Sequence, residues 1–254
     1  MITRKKSLLI GILFFGIIIA YGRVFLIVKN GIKTRDFYIK KSVCAYTQNK
    51  SAVLFVDERA YRNLEYLRIN LNEILDSANN QFKAQQLPIR YEFRVDHILY
   101  WHPKDLIAIN TAFTDKKNRI LNELGLKIKS ARKKYDPDVV IFITALKDEV
   151  SAKSFWLEKY PYGNGVIIID LGFNPLVKIR SPSVKKLFLR GYGQILAHEG
   201  AHLYGLEHAA NSDSIMKDII PFGDPKLKFD EKSLNQLRNR LKELKSLQEK
   251  CAAR

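Results

Sequence analysis

Cysteine is scarce in this sequence, which has only Cys44 and Cys251 among its 254 residues. Neither belongs to a CxxC motif or to a cluster with histidine, and this argues against a zinc site built from cysteine ligands. The two thiols can form one disulfide if the domain folds outside the cytoplasm, which would tie the N-terminal segment to the end of the chain. They can equally remain free, and the sequence alone leaves both states open.

Internal repeats, low-complexity tracts and basic patches interleaved with aromatic residues are also missing. Apolar residues make up 46% and charged residues 27%, as in a globular protein with a core and unlike a disordered or collagen-like chain. The net charge of +17 favours acidic partners such as anionic lipid, cell-wall polymer or nucleic acid. Because the basic residues are scattered, they indicate a lysine-rich solvated surface, and no nucleic-acid partner is expected.

The longest apolar run covers residues 8–28 and follows three basic residues at positions 4–6. As a signal anchor, its 21 residues are about as long as a bilayer requires, with Arg23 reaching toward the interface. As a signal peptide, it would use residues 8–20 as the apolar core and residues 20–22 as the cleavage site. The anchor, a single pass with the N-terminus inside, is the preferred interpretation. Both interpretations place the remainder outside the cytoplasm, either membrane-anchored or secreted.

The rest of the chain divides into a polar segment and a patterned domain. Residues 29–51 have no clear period and are interpreted as a linker or short pro-segment, which leaves residues 52–254 as the folded domain. Apolar runs and alternation predict strands over residues 52–56, 89–100, 138–146, 151–160 and 165–171. Helical spacing predicts helices over residues 63–82, 115–134 and 182–204, and a last helix after Asp230. This order indicates an α/β fold.

A candidate metal site lies on the third predicted helix. His198 and His202 are four residues apart, so both imidazoles project from one helical face and can reach one ion. Gly205 stands where a helix can end in a left-handed turn that glycine adopts at little cost, after which the chain can return His208 to the same ion. Three of the five histidines thus lie within eleven residues. A catalytic zinc takes three protein ligands and keeps one position for water, which the adjacent Glu199 could contact.

The segment HEGAHLYGLEH at residues 198–208 resembles the zinc-binding signature of the metzincin peptidases, HExxHxxGxxH. Met216 occupies the position of the methionine turn that lies beneath the metal in that clan. The eight-residue gap from His208 to Met216 is similar to matrixin spacing, while residues 214–216 resemble the astacin turn and residues 136–144 the adamalysins. Asp218 stands where some astacin-like enzymes add a tyrosine ligand, so no such ligand is expected.

This resemblance implies a metzincin-like zincin fold: a twisted mixed sheet with backing helices above an active-site cleft. Residues 52–204 would form the upper part, and residues 205–254 a smaller irregular lower part ending in a helix. It also implies one catalytic Zn²⁺ held by the three histidines, with Glu199 as general base. Because the edge strand of that fold pairs with extended substrate, Trp156 is a candidate substrate contact.

The resulting hypothesis is a zinc endopeptidase acting on protein or peptide substrates and attached to the membrane by its N-terminal segment, or secreted. Two alternatives remain open at this point. One is a membrane-tethered scaffold that binds zinc without turnover, which the intact Glu199 disfavours. The other is a zinc hydrolase of a non-peptide bond, because the HExxH pattern alone does not specify the bond that is cut.

Overall fold

The computed structural model describes residues 44, 48–57, 65–101, 117–144, 151–156, 162–170, 181–210, 213–220 and 222–253, for some of them the backbone alone. The predicted anchor or signal peptide at residues 8–28 lies outside the described residues, as does nearly all of the predicted linker. No helix within the described ranges is long and apolar enough to cross a membrane.

Five strands form one mixed sheet in the order β2-β1-β3-β5-β4. The strands are β1 (Asn49–Asp57), β2 (Arg90–Trp101), β3 (Val139–Thr144), β4 (Ser151–Trp156) and β5 (Gly165–Asp170). Neighbours pair in parallel except β4, which is antiparallel to β5 and lies at an edge of the sheet. The four helices are α1 (Glu65–Lys83), α2 (Lys117–Tyr135), α3 (Pro182–His202) and α4 (Glu231–Ala252).

The central strands are apolar on both faces because helices cover both sides of the sheet. All six residues of β3 and all six of β5 are buried. On one face, Val140 and Phe142 pack with Ile128 of α2. On the other face, alternate residues of the same strands pack with α1, α3 and part of α4 in a larger core. Side chains alternate between the two faces of a strand, so a continuous apolar run fits a sheet buried on both sides.

These observations confirm the predicted α/β fold with a mixed sheet and a final helix after an irregular stretch. Within the described residues, two predicted boundaries differ from the observed ones by two residues or more. β1 begins at Asn49, inside the segment interpreted as linker, because Asn49 and Lys50 already pair with Arg90 and Tyr91 of β2. The buried Lys50 ammonium also donates to Tyr162 O and to Asn164 Oδ1, both at 3.1 Å. α3 ends at His202 instead of residue 204, because the chain turns there toward the positive φ of 82° at Gly205.

Glycines on α3 let this helix approach its neighbours closely. A Cβ atom on Gly193 would lie 2.9 Å from the backbone nitrogen of Ala78 in α1, and one on Gly200 would lie 2.5 Å from the hydroxyl of Tyr91. Real side chains do not pack at such distances. α3 is therefore fixed against α1 and β2 along the half that carries the histidines.

The two cysteines form a disulfide between Cys44, ahead of β1, and Cys251 on α4. It joins residues 207 apart in sequence and answers the question that the sequence left open. The beginning of the described domain and its last helix are therefore covalently linked.

Candidate metal centre

The structure brings the three predicted histidines together. The Nε2 atom of His202 lies 2.9 Å from Nε2 of His198 and 3.1 Å from Nε2 of His208. One nitrogen from each ring can be chosen so that all three lie within 4.8 Å of one another. When histidine, cysteine and carboxylate side chains of the described residues are considered, these three histidines form the group that could hold a metal ion.

Backbone carbonyls fix the tautomer of the two helical histidines. His198 Nδ1 lies 2.6 Å from Ile215 O, and His202 Nδ1 lies 2.6 Å from Leu206 O. A carbonyl oxygen only accepts, so in each ring Nδ1 carries the proton and donates it. In the neutral ring, Nε2 is then an acceptor without a proton. Two lone pairs consequently face each other at 2.9 Å, an arrangement that calls for a cation between them.

The donor set fits zinc. Three imidazole nitrogens are a known catalytic zinc ligand set, with Zn–N distances of about 2.0–2.1 Å. Tetrahedral geometry at that distance separates the nitrogens by about 3.3 Å. The observed 2.9 and 3.1 Å are a few tenths of an ångström shorter, which small ring rotations would correct. His198, His202 and His208 are therefore the residues that would hold the ion.

The turn after α3 explains how a loop residue reaches the helical pair. Gly205 has φ 82°, a left-handed conformation that glycine adopts without strain. Its amide donates to His202 O at 2.9 Å, and the next carbonyl, Leu206 O, accepts from His202 Nδ1. The few residues that reverse the chain after the helix therefore also orient the ring of His202. The predicted role of Gly205 in the turn agrees with this geometry.

Met216 is fully buried in the segment that passes close to His208. Its carbonyl accepts from the Ala209 amide at 2.8 Å, which ties the residue after His208 to the turn. The preceding carbonyl, Ile215 O, is the acceptor for His198. The turn at residues 214–218, called the methionine turn below, is thus attached both to the loop and to a helical histidine.

Glu199 follows His198 on α3 and is 5% exposed. Burial raises the pKa of its carboxyl group to about 7, while the Ser154 hydroxyl and the charge of Lys153 act in the opposite direction. Both of these residues belong to the edge strand β4. The carboxyl group of this helical residue therefore lies near the edge strand of the sheet.

Burial also favours the uncharged form of the helical histidines. It lowers the pKa of His198 to about 3, with help from His202 and His208, while the bond to Ile215 O acts in the opposite direction. The pKa of His202 is lowered by burial and by His208, against the raising effect of its bond to Leu206 O. Neutral imidazole is the form that binds a metal.

Other predicted residues are placed less fully. Trp156 ends β4, where its backbone pairs with Gly165 of β5, but its side chain is not described. Substrate contact at Trp156 stays a prediction. Two contacts were missed by sequence reasoning: Ser154 beside Glu199, and Asp218 Oδ1 at 3.2 Å from His208 Nδ1. The only sequence signal for the second was an acidic residue two positions after Met216.

Comparisons with known proteins give only a distant structural likeness. No protein-family model matches the chain, and no curated protein matches it. The crystal structure of archaemetzincin from Methanopyrus kandleri aligns with TM-score 0.47 and 14% identity, covering 77% of this chain and 97% of that chain. The zinc-dependent peptidase from Methanocorpusculum labreanum aligns with TM-score 0.44 and 16% identity, covering 73% and 99%. At these values neither likeness assigns an activity to this chain.

Proposed function

We propose that this protein is a zinc-dependent endopeptidase of the metzincin type, with His198, His202 and His208 as ligands of one Zn²⁺. The observation that carries the proposal is the convergence of the three Nε2 atoms, two of them with their tautomers fixed by carbonyl acceptors. A bound zinc ion would polarise the substrate carbonyl and make a water molecule more acidic.

Glu199 is the proposed general base. It is the residue next to His198, so its carboxylate is held on the same rigid helix as two ligands and beside the edge strand. In this role it accepts a proton from the attacking water and returns it to the leaving amine, and the amine then departs as a neutral group. The histidines contribute no proton, because their Nδ1–H groups remain bonded to their acceptors.

An extended polypeptide is the proposed substrate because of where β4 lies. Among the described residues this strand is at the edge of the sheet, paired with β5 on one side only, and its Ser154 lies beside Glu199. A peptide can add to such an edge through main-chain hydrogen bonds. A peptide added there would run past the general base, so an internal peptide bond would be the one cleaved. This placement supports a peptide bond over other hydrolysable bonds as the target.

We also propose that the domain works outside the cytoplasm, anchored by residues 8–28 or secreted. The Cys44–Cys251 disulfide supports this location, because such bonds persist in oxidising compartments and are rare in reducing ones. The apolar N-terminal run supports export. Alkylation with a membrane-permeant thiol reagent tests the location: an exported and oxidised protein has no thiol to label before reduction, whereas a protein kept in the cytoplasm does.

The central test compares the full-length protein with Glu199→Gln and with the control Glu207→Gln, which removes the same charge from an exposed position. Zinc content is measured for all three, together with cleavage of an unfolded protein with and without a chelator. We expect all three to bind one zinc per chain. Glu199→Gln should lose at least about a hundredfold in turnover, the lower end for removing a general base, while Glu207→Gln stays active.

Each departure from this result has a definite meaning. Cleavage that persists in chelator would contradict the zinc mechanism, and near-normal turnover by Glu199→Gln would contradict its role as base. Stoichiometric zinc without cleavage of any unfolded protein would favour the scaffold alternative or a non-peptide bond.

A further inference from the structure

We propose that Asp218 is the positioning residue of the third ligand: its carboxylate fixes His208 in the tautomer and orientation that present Nε2 to the metal. This inference rests on the proposed zinc centre and adds to it a residue that neither the motif nor the resemblance assigns. It concerns a side chain that is not itself a ligand.

The contact that carries the inference joins Asp218 Oδ1 to His208 Nδ1 at 3.2 Å. The opposite nitrogen of the same ring, Nε2, lies 3.1 Å from Nε2 of His202. The Nδ1 side of the His208 ring therefore faces a carboxylate, while its Nε2 side faces the other two histidines. A carboxylate accepts hydrogen bonds, so it selects the ring form with the proton on Nδ1 and leaves the Nε2 lone pair free for a metal.

His208 needs such a partner more than the helical histidines do. Those two rings, His198 buried and His202 half-buried, are held by carbonyls at 2.6 Å, whereas the side chain of His208 is 47% exposed and belongs to a loop. An exposed ring on a loop can rotate and exchange tautomers unless a neighbour restrains it. With Asp218 as its partner, His208 follows the same pattern as the other two rings: Nδ1 faces a protein oxygen and Nε2 faces the other ligands.

The methionine turn can supply this restraint because hydrogen bonds hold it in place. The Ile215 amide donates to Lys228 O at 2.8 Å, and the Met216 amide donates to Ser214 Oγ at 3.1 Å. Ser214 Oγ in turn donates to Asp230 at the start of α4. The turn thus provides acceptors for two ligands from different elements, Ile215 O for His198 and Asp218 for His208.

The chemical consequence is a difference between the ligands. A carboxylate partner makes an imidazole a stronger donor to a metal than a neutral carbonyl partner does. Loss of such a partner typically lowers metal affinity by 10- to 100-fold. Because Asp218 is 79% exposed and water can replace part of its effect, we expect the lower end of that range.

The test measures zinc affinity of the full-length protein by competition with a chelating dye. Asp218→Ala removes the acceptor, whereas Asp218→Asn keeps an acceptor oxygen and loses the charge. Glu207→Gln is the matched control, since it removes a charge next to His208 in sequence but not its partner. We expect affinity to fall about tenfold in Asp218→Ala, to fall less in Asp218→Asn, and to be unchanged in Glu207→Gln.

A second measurement does not depend on metal binding. Nitrogen-15 spectra of labelled histidine, recorded without metal on wild type and Asp218→Ala, report which ring nitrogen of His208 carries the proton. We expect the Nδ1–H form to dominate in the wild type and to lose its dominance in Asp218→Ala. Equal zinc affinity and equal tautomer populations in Asp218→Ala and Glu207→Gln would overturn the inference. A wild-type protein that binds no zinc but keeps the Nδ1–H preference would overturn the proposed function and leave this restraint intact.

Discussion

The two halves of the candidate metal centre differ in what holds their ligands. In the helix half, His198 is 4% exposed and shares α3 with His202, and α3 is fixed against α1 and β2 by close glycine contacts. In the loop half, His208 is exposed and is placed by the turn at Gly205 and by the methionine turn. The helix ligands are thus positioned by the core, and the loop ligand by a few local hydrogen bonds.

This difference shows why a three-histidine site can have a clear sequence motif and still depend on residues outside that motif. The position of a packed helix depends little on any single polar contact, because many apolar contacts fix it together. A loop has no such redundancy. Substitutions in the two halves should therefore have different effects on stability and on metal binding.

The largest expected effect comes from removing one ligand in each half. His198→Ala and His208→Ala should both weaken zinc binding by at least about a hundredfold, since structural zinc sites bind with roughly 10–16 kcal/mol shared among their ligands. They should differ in the metal-free protein. His198→Ala also opens a buried site and strands Ile215 O, at a cost of about 1–3 kcal/mol, whereas His208→Ala should cost much less. Dye competition measures the zinc affinity, and urea unfolding measures the stability of the metal-free protein. Equal losses of stability in the two variants would contradict the proposed difference between the halves.

A smaller effect should follow from filling the contact between α1 and α3. In Gly193→Ala, the new Cβ would meet the side chain of Ser77 and the backbone of Ala78, so unfolding should become easier by about 1–3 kcal/mol. The control is Gly125→Ala on α2, where nothing lies within 4 Å of the new atom. That change should stabilise by about 0.5–1 kcal/mol, because alanine is the better helix former. Urea denaturation of both variants checks the opposite signs.

The smallest effect concerns the support of the methionine turn at Asp230. This side chain caps α4 by accepting from the Ser233 amide at 3.0 Å and also accepts from Ser214. Asp230→Ala should therefore cost about 0.5–2 kcal/mol, whereas Asp230→Asn, which can still cap, should cost less. Thermal unfolding of the two variants separates loss of the cap from loss of the charge.

The hydrogen bonds of Asp230 should also make the stability of the protein depend on pH. Partial burial acts to raise the pKa of Asp230, but the hydrogen bonds from Ser214 and Ser233 outweigh it and leave the pKa lowered. A lowered folded-state pKa means that the carboxylate adds stability above its unfolded pKa of about 4 and loses it as pH falls through the folded value. The advantage of wild type over Asp230→Asn should thus shrink as the pH falls below about 5. An advantage that stays constant would contradict this account.

Periodicity and spacing predicted most of the fold and the ligand trio. The apolar runs of β3 and β5 are continuous because both faces are buried, and the HExxH spacing depends only on helix geometry. Gly205 was predictable because a reversal after the helix needs a residue that tolerates positive φ. Each of these signals lies within a short stretch of chain.

The contacts that the sequence did not reveal join distant or irregular segments. Ser154 reaches Glu199 because an antiparallel edge strand lies beside α3, and Asp218 reaches His208 because a turn folds back on the loop. The buried Lys50 of β1 was not expected from periodicity, because its acceptors, Tyr162 and Asn164, are more than a hundred residues away. Composition carries no trace of such pairings.

The link between Cys44 and Cys251 closes almost the whole described domain into a covalent ring. One cut in any loop inside that ring opens it without releasing a piece. A preparation that had nicked itself would migrate as an intact species on a gel run without reductant, and its fragments would separate only once the ring was reduced. If the proposed activity acts on the chain itself, a single cut inside the ring would therefore be seen only in the reduced lane.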